Sequence, residues 1–309
     1  MATVLCFRAP VEVIKGRPTA RATNMPGTFS DSWRLTKISF RLIFEDSALL
    51  VFPLVAGLSA IAVLVLFALG TFFLAPLLLI GGSLTTSYEV VGVALFLVAY
   101  FSTTFITVYA TAALIGAATL KLEGQQPTTS DGWRFARANL TRLFIWSLIA
   151  ATVGLLIQLI SARIKGAAGM IIGGIAGATW AIATYFVIPV IVYEKHSPWQ
   201  SLGRSAKMFL NTFGRTLVTN IVLALILAAG IVAAVVLGVF GLFLAFSGSA
   251  TLGIILIVTA LGVGVLVALI GASAEGVLRA ALYRYATTGK IDPDLLPQAY
   301  RTSVRGPLQ

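Results

Sequence analysis

The sequence has little from which a catalytic or metal centre could be built. It holds one cysteine, Cys6, and one histidine, His196, in 309 residues. A single cysteine excludes an intramolecular disulfide and a cysteine metal cluster, and a lone histidine with only Glu194 nearby is a poor start for a zinc site. The sequence also lacks a P-loop, a G-x-G-x-x-G fingerprint and an H-E-x-x-H helix. We therefore expect neither an enzyme nor a bound cofactor or metal.

Charge is scarce as well, and most of it has one sign. Charged residues make up 11% of the chain and apolar ones 58%, which excludes a soluble globular domain. The balance is basic, with 22 Lys and Arg against 11 Asp and Glu. In a soluble protein that excess would favour nucleic acid as a partner, but here the basic residues flank apolar runs. The expected partner is therefore the anionic surface of a membrane, with no nucleic acid.

Six long apolar runs are the main feature that is present. They cover residues 49–79, 90–120, 143–160, 167–192, 217–246 and 252–278. A helix needs roughly 20 apolar residues to cross a hydrocarbon layer about 30 Å thick, because each residue advances about 1.5 Å. The sequence therefore predicts an all-α integral membrane protein with six transmembrane helices.

The basic residues lie on one side of these runs. If six spans alternate in direction from a cytoplasmic N-terminus, 20 of the 22 Lys and Arg fall in cytoplasmic segments, and only Arg163 and Lys165 fall outside. Short segments rich in Lys and Arg stay on the cytoplasmic side, so both termini are expected inside. We predict a disordered cytoplasmic tail at 1–29, a membrane domain at 30–290 and a second cytoplasmic tail at 291–309.

A short motif precedes each odd-numbered span. Residues 30–37 and 130–137 share Ser, Asp, Trp and Arg at matching positions, and a looser copy begins with Ser197, Pro198 and Trp199. Ser, Asp and Pro are common at helix starts, and a helix with Trp, a basic face and an apolar face lies in the membrane interface. The expected fold is thus three transmembrane hairpins, each preceded by an amphipathic in-plane interface helix. Duplication of one ancestral unit and convergence both explain the motif.

The interface helices supply the first candidate site, which would contact lipid headgroups. Its members are three tryptophans and seven basic residues: Trp33, Arg34, Lys37, Arg41, Trp133, Arg134, Arg137, Trp199, Arg204 and Lys207. The helical period predicts one apolar stripe on the second helix, formed by Trp133, Ala136, Leu140 and Leu143. It predicts a similar stripe on the third, formed by Trp199, Leu202, Ala206 and Phe209.

Glu275 is the one acidic residue within an apolar run, and it precedes Arg279 by four residues on the same helical face. Two roles are open: an ion pair at the cytoplasmic rim, which we expect, or a proton or ion relay inside the membrane. Asn220 and Gln158 are single polar groups in other spans. Together these residues do not form the polar path that a secondary transporter normally shows.

Small residues recur at every fourth position on three spans. They are Gly169, Gly173, Gly177 and Ala181 on the fourth, Gly230, Ala234 and Gly238 on the fifth, and Ala260, Gly264, Ala268, Ala272 and Gly276 on the sixth. Such stripes let helix backbones approach closely. Packing within one bundle is the expected role, and a gated seam or a homodimer face is the alternative.

Three segments are distinctive: residues 32–37 with 52–54, residues 186–190, and the ending at 281–289. They resemble an uncharacterised family of prokaryotic six-span membrane proteins, over about residues 30–290. The layout is also loosely similar to the membrane domain attached to some bacterial glycerophosphodiester phosphodiesterases, but the acidic metal ligands of their catalytic domain are absent. The resemblance implies the cytoplasmic membrane of a bacterium or archaeon, and it supplies no activity and no site residues.

The expected function is non-catalytic: a scaffold or lipid-interacting protein whose basic interface helices bind anionic headgroups or a protein partner. The alternative is a small transporter or channel-like permease that uses the bundle interior. A cavity with converging polar groups between spans would favour the transporter, and a tightly packed interior with exposed basic helices would favour the scaffold. A homo-oligomer is compatible with both.

Overall fold

The computed structural model describes residue 40 and residues 48–80, 85–164 and 166–288. Within these ranges the chain is helical, and no strand occurs in them. From residue 48 onward they contain nine helices: α1 Ala48–Ile80, α2 Thr85–Leu122, α3 Thr129–Ala138, α4 Leu140–Arg163, α5 Ala167–Thr184, α6 Val187–Tyr193, α7 Pro198–Asn211, α8 Phe213–Phe246 and α9 Ala250–Thr288. The prediction of an all-α fold is confirmed. The two predicted tails lie outside the described residues.

Six helical stretches are long and apolar enough to cross a membrane, as the sequence predicts. They are Ala48–Phe73, Val90–Leu122, Leu140–Arg163, Ala167–Tyr193, Asn220–Phe246 and Ala250–Thr287. Each has at least 24 residues, and a helix of that length spans about 36 Å, enough for the hydrocarbon core. The chain is therefore a multi-pass membrane protein.

The fourth span is broken into α5 and α6. Pro189 has no N–H to donate to the carbonyl of Tyr185, four residues earlier, and α5 ends at Thr184. The break leaves the N–H of Phe186 without a helical partner, and it donates instead to Ser205 Oγ of α7 at 2.9 Å. A serine on the neighbouring helix thus compensates for the break, as a buried backbone donor requires.

A second break separates α3 from α4. Asn139 stands between them with φ −117° and ψ 16°, and its Nδ2 donates to the carbonyl of Phe135 at 3.2 Å. Ala136 and Leu143 are fully buried, but Leu140 is 44% exposed. The predicted stripe is interrupted, because Trp133 and Ala136 lie on α3 whereas Leu140 and Leu143 lie on α4.

Buried side chains concentrate at one end of the bundle, which we call the packed end. Its centre consists of residues 112–118 of α2, 187–192 of α6 and 274–283 of α9. Phe52 of α1 and Leu143 of α4 join this cluster with no exposed surface. The first turns of α1 and α4 therefore meet the last turns of α2 and α9, at the end of the spans where the basic residues gather.

At the opposite end, which we call the open end, large apolar side chains face outward. Examples are Phe72 of α1, Met170 of α5, Phe246 of α8 and Leu252 of α9. In a membrane protein these side chains lie among lipid tails, which are as apolar as the residues themselves. Over their whole lengths, the helices make their most extensive contact between α8 and α9, which are adjacent in sequence.

The small-residue stripes take part in the contact between α8 and α9. A Cβ atom added at Gly230 would lie 3.0 Å from Val267, and one at Gly238 would lie 3.5 Å from Ala260. By contrast, added Cβ atoms at Gly177 and Gly264 would have no heavy atom of the described residues within 4 Å. Packing inside the bundle, the expected role, therefore accounts for part of these stripes.

Candidate functional site

Polar side chains form two groups at the packed end. The first, which we call the Glu194 cluster, centres on the carboxylate that follows α6. Its Oε2 accepts from Arg204 Nε of α7 at 3.2 Å, and its Oε1 accepts from the hydroxyl of Tyr283 of α9 at 3.1 Å. His196 Nδ1 lies 3.3 Å from Oε2. One carboxylate thus joins three helices, which suits a structural role.

Aromatic rings pack beside the Glu194 cluster. The ring of Tyr193 stacks on Tyr283 with centroids 5.5 Å apart, and its hydroxyl donates to the carbonyl of Ile115 in α2 at 3.3 Å. Beside them, Arg284 Nη1 of α9 donates to Glu123 Oε1, just after α2, at 3.1 Å. These contacts fix the end of α9 against α2 and α6. Among the described residues no group of three metal-ligating side chains occurs.

Both described copies of the repeated motif begin a helix, as the sequence predicts. Asp131 Oδ2 accepts from the backbone N–H of Thr128 at 2.9 Å and from its hydroxyl at 2.7 Å, which closes the first turn of α3. These hydrogen bonds from Thr128, followed by the charge of Arg134, hold the pKa of Asp131 below its usual value. Asp131 therefore stays ionised at neutral pH. Ser197 and Gln200 close the start of α7 in the same way.

The predicted headgroup-binding residues fall into several environments. Arg134, Arg137 and Lys207 point outward from α3 and α7, and Trp199 is 66% exposed. The sequence places Trp199 on the apolar stripe of α7, but the buried residues there are Pro198, Ser201, Ser205, Met208 and Phe209. Trp33, Arg34, Lys37 and Arg41 lie outside the described residues.

Besides Arg134, which pairs with Asp131 at 2.8 Å, two of the predicted residues have partners within the protein. Trp133 packs against Phe52 of α1, with ring centroids 5.2 Å apart, and against Tyr109 of α2 at 5.6 Å. Arg204 donates to Glu194, as described above. The arginine still exposes about half of its side chain, whereas the tryptophan ring mainly fills space between α1 and α2.

The second polar group lies in a groove between α5, α7, α8 and α9, which we call the lateral groove. It has a volume of about 450 Å³ and is lined by Trp180, Ile182, Tyr185, Asn220, Glu275 and Arg279, among others. Asn220 Nδ2 donates to the hydroxyl of Tyr185 at 3.0 Å. Glu275 and Arg279 form an ion pair, as their spacing predicts, and the guanidinium carbon of Arg279 lies 5.1 Å from the centre of the Tyr185 ring.

The lateral groove brings together polar residues that the sequence shows as isolated. Asn220 and Tyr185 are 35 positions apart, and nothing in their local pattern indicates that they meet. The only indication in the sequence is the residue type. Asn220 is polar and Tyr185 is amphipathic, and each lies in an apolar span near the end where the basic residues gather. In the sequence Glu194 stands out only as a neighbour of His196, which it does contact. Its contacts with Arg204 of α7 and Tyr283 of α9 follow from no sequence pattern.

Comparison with protein families finds one match. A family of unknown function (DUF6159) matches residues 88–292. The chain belongs to this family. The expected resemblance to an uncharacterised family is thus confirmed, and the DUF6159 region contains both the Glu194 cluster and the lateral groove, whereas α1 precedes it. No curated protein and no solved structure matches the chain.

Proposed function

We propose that this DUF6159 protein is a non-catalytic scaffold of the membrane that binds anionic lipid headgroups through α3 and α7. The observation that carries the proposal is the outward direction of Arg134, Arg137 and Lys207 beside the packed end. Other charges at this end are engaged in pairs within the protein, such as Glu194 with Arg204 and Glu123 with Arg284. Arg134 also pairs with Asp131 within α3 at 2.8 Å, but its side chain is 74% exposed. All three outward residues can therefore meet phosphate groups of the surrounding lipids.

In the arrangement that we propose, the six spans form three hairpins and both termini are cytoplasmic. The partition of 20 of 22 basic residues to one side supports this orientation. α3 and α7 then lie as amphipathic helices in the cytoplasmic interface of a prokaryotic cytoplasmic membrane. The exposed ring of Trp199 suits that depth, since tryptophan is enriched where membrane and water meet.

A small transporter is the second candidate function, and the lateral groove is the observation that favours it. Polar side chains from three helices converge there, as they do in transporter sites. However, residues 221–274, which cover most of α8 and α9, include no Asp, Glu, Lys, Arg or His. A polar path from the lateral groove to the open end would therefore find no charged side chain on this part of α8 and α9. This favours the scaffold.

The proposal is tested by the lipids that remain bound to the purified protein. A triple variant, Arg134→Gln, Arg137→Gln and Lys207→Gln, removes the outward charges and leaves the described ion pair of Glu194 in place. Each basic group near an anionic surface contributes about 1 kcal/mol before screening, so retained phosphatidylglycerol should fall by about fivefold or more. The control is Arg163→Gln, which removes an exposed basic group at the open end. Equal phosphatidylglycerol in the triple variant and the control would refute the proposal.

A further inference from the structure

We propose that the lateral groove binds one phospholipid molecule whose headgroup carries both a phosphate and a primary amine. This inference concerns a different surface from the outward charges of α3 and α7, and it does not rest on the proposed function. The groove presents a cation and an anion side by side, Arg279 and Glu275, within a wall that is otherwise uncharged and mostly apolar or aromatic. A zwitterionic headgroup has the complementary pair of charges.

Both members of the ion pair keep hydrogen-bonding capacity. Arg279 donates from Nη2 to Glu275 Oε1, while its Nε is buried and has no hydrogen-bond partner among the described residues. A guanidinium carries five N–H donors and a carboxylate two acceptor oxygens, so neither group is saturated by one shared bond. The Arg279 side chain is 25% exposed and that of Glu275 is 44% exposed. Both can therefore reach a ligand in the groove.

The charges in the groove select between headgroups. A phosphate that contacts Arg279 comes close to the carboxylate of Glu275, and two like charges at that distance repel each other. A primary amine on the same headgroup removes the repulsion and donates N–H groups to Glu275. The Tyr185 hydroxyl and the Asn220 amide, which already bond each other, offer further donors and acceptors. The groove should thus prefer phosphatidylethanolamine to phosphatidylglycerol.

The depth of the groove fits a lipid. Arg279 lies five residues before Arg284, which pairs with Glu123 at the end of α2, so the two are about 7 Å apart along α9. The headgroup layer on each side of a bilayer is about 5–7 Å thick. The headgroup would therefore sit at the lower edge of that layer. Its acyl chains would extend along Ile182 and Trp180, whose ring is fixed by stacking on Trp146 at 5.9 Å.

The test compares lipids of identical acyl chains on the full-length protein in detergent, with bound lipid counted by native mass spectrometry. Because the outward charges of α3 and α7 would bind phosphatidylglycerol elsewhere on the protein, the comparison and the groove variants below are made on the triple variant that lacks those charges. There we expect phosphatidylethanolamine to bind more than phosphatidylglycerol by about fivefold, the effect of one partly exposed charge pair. Glu275→Gln should reduce this ratio to near one, since the phosphate partner stays and the amine partner is lost. Phosphatidylcholine, which keeps the positive charge but has no N–H, should bind less than phosphatidylethanolamine.

A second variant tests the groove without touching its charges. Ala181→Trp places a large ring in the groove wall and should reduce binding of phosphatidylethanolamine at least as far as Glu275→Gln does. Its matched control is Ile175→Trp, on an outward-facing position of the same helix away from the groove. This control should retain the lipid ratio of the triple variant whose groove is unaltered.

Several results would overturn the inference. Equal binding of the two lipids to the triple variant of α3 and α7 is one, and a ratio that neither Glu275→Gln nor Ala181→Trp changes in that background is another. Displacement of the lipid by soluble phosphoethanolamine at equal concentration would show that the ligand is not a lipid. The proposed function is tested by the loss of phosphatidylglycerol between the unaltered protein and the triple variant, and the groove by the lipid ratio within the triple variant. Failure of one is therefore distinguishable from failure of the other.

Discussion

The packed end and the open end are made from the same six apolar spans, yet they are held together differently. At the packed end, aromatic rings, close backbone contacts and the Glu194 cluster join at least four helices. At the open end, large apolar side chains such as Phe72, Met170 and Phe246 face outward. Burial from water cannot explain the difference within a bilayer, because lipid is as apolar as leucine. The comparison indicates that close packing and polar bonds at one end determine the tertiary structure.

The largest effect is expected where α3 approaches α1 and α2 most closely. A Cβ atom at Gly132 would lie 2.5 Å from Phe52 Cζ and 2.7 Å from the carbonyl oxygen of Ala113. Gly132→Ala should therefore destabilise the protein by about 3 kcal/mol, since backbone and a buried ring must both move. The measurement is the midpoint of thermal unfolding in detergent, followed by size-exclusion chromatography with tryptophan fluorescence.

Gly177→Ala is the matched control for Gly132→Ala, because its added methyl group would meet no described heavy atom within 4 Å. It should leave the unfolding midpoint unchanged or raise it slightly, as alanine favours the helix over glycine. If both variants lowered the midpoint equally, the distinction between the two ends would be wrong.

An intermediate effect is expected at the Glu194 cluster. Glu194→Ala removes the acceptor of the Tyr283 hydroxyl and the partner of Arg204. An unsatisfied buried polar group costs about 1–3 kcal/mol, so we expect a loss of about 2 kcal/mol in the free energy of unfolding. Glu123→Ala removes a carboxylate that is 42% exposed, against 20% for Glu194, from its pair with Arg284, and it should cost about 1 kcal/mol or less.

A double variant separates the two bonds of Glu194. Tyr283→Phe added to Glu194→Ala removes the stranded hydroxyl and should recover part of the lost stability, because the two residues are in contact and their effects do not add. Full additivity of the two substitutions in chemical unfolding would mean that the hydrogen bond between them contributes nothing.

The smallest effect is expected at the open end. Phe246 is 85% exposed, so Phe246→Ala should change the free energy of unfolding by less than about 0.5 kcal/mol. The same chromatography reports whether the oligomeric state changes. A loss as large as that of Glu194→Ala would show that this side chain packs against another molecule, and the open end would then be an interface.

The parts of the structure that follow from local patterns could be predicted from the sequence. Six spans, the helix starts of α3 and α7 and the pair of Glu275 with Arg279 all depend on residues within one helix or run. Periodicity and capping rules suffice for such features.

The parts that depend on tertiary contact could not be predicted. Trp133 and Trp199 occupy the same place in the repeated motif, yet one packs against Phe52 and the other is exposed. Glu194 and Tyr283 are 89 residues apart, and no pattern in either segment encodes their contact. The break at Asn139 could not be predicted either. Asn139 donates from its side chain to the carbonyl of Phe135, and asparagine makes such bonds to the backbone in some helices and not in others.

The connection between α8 and α9 has a consequence for how the protein enters the membrane. It consists of Ser247, Gly248 and Ser249, with Gly248 at φ 94° to reverse the chain. A charge carried across a bilayer costs about 2.5–3.5 kcal/mol at the centre, and none lies between Asn220 and Glu275. We therefore expect the last two spans to insert together as one unit during synthesis. Their buried residues, such as Ala274 and Leu278, would then join an assembly already formed by the preceding helices.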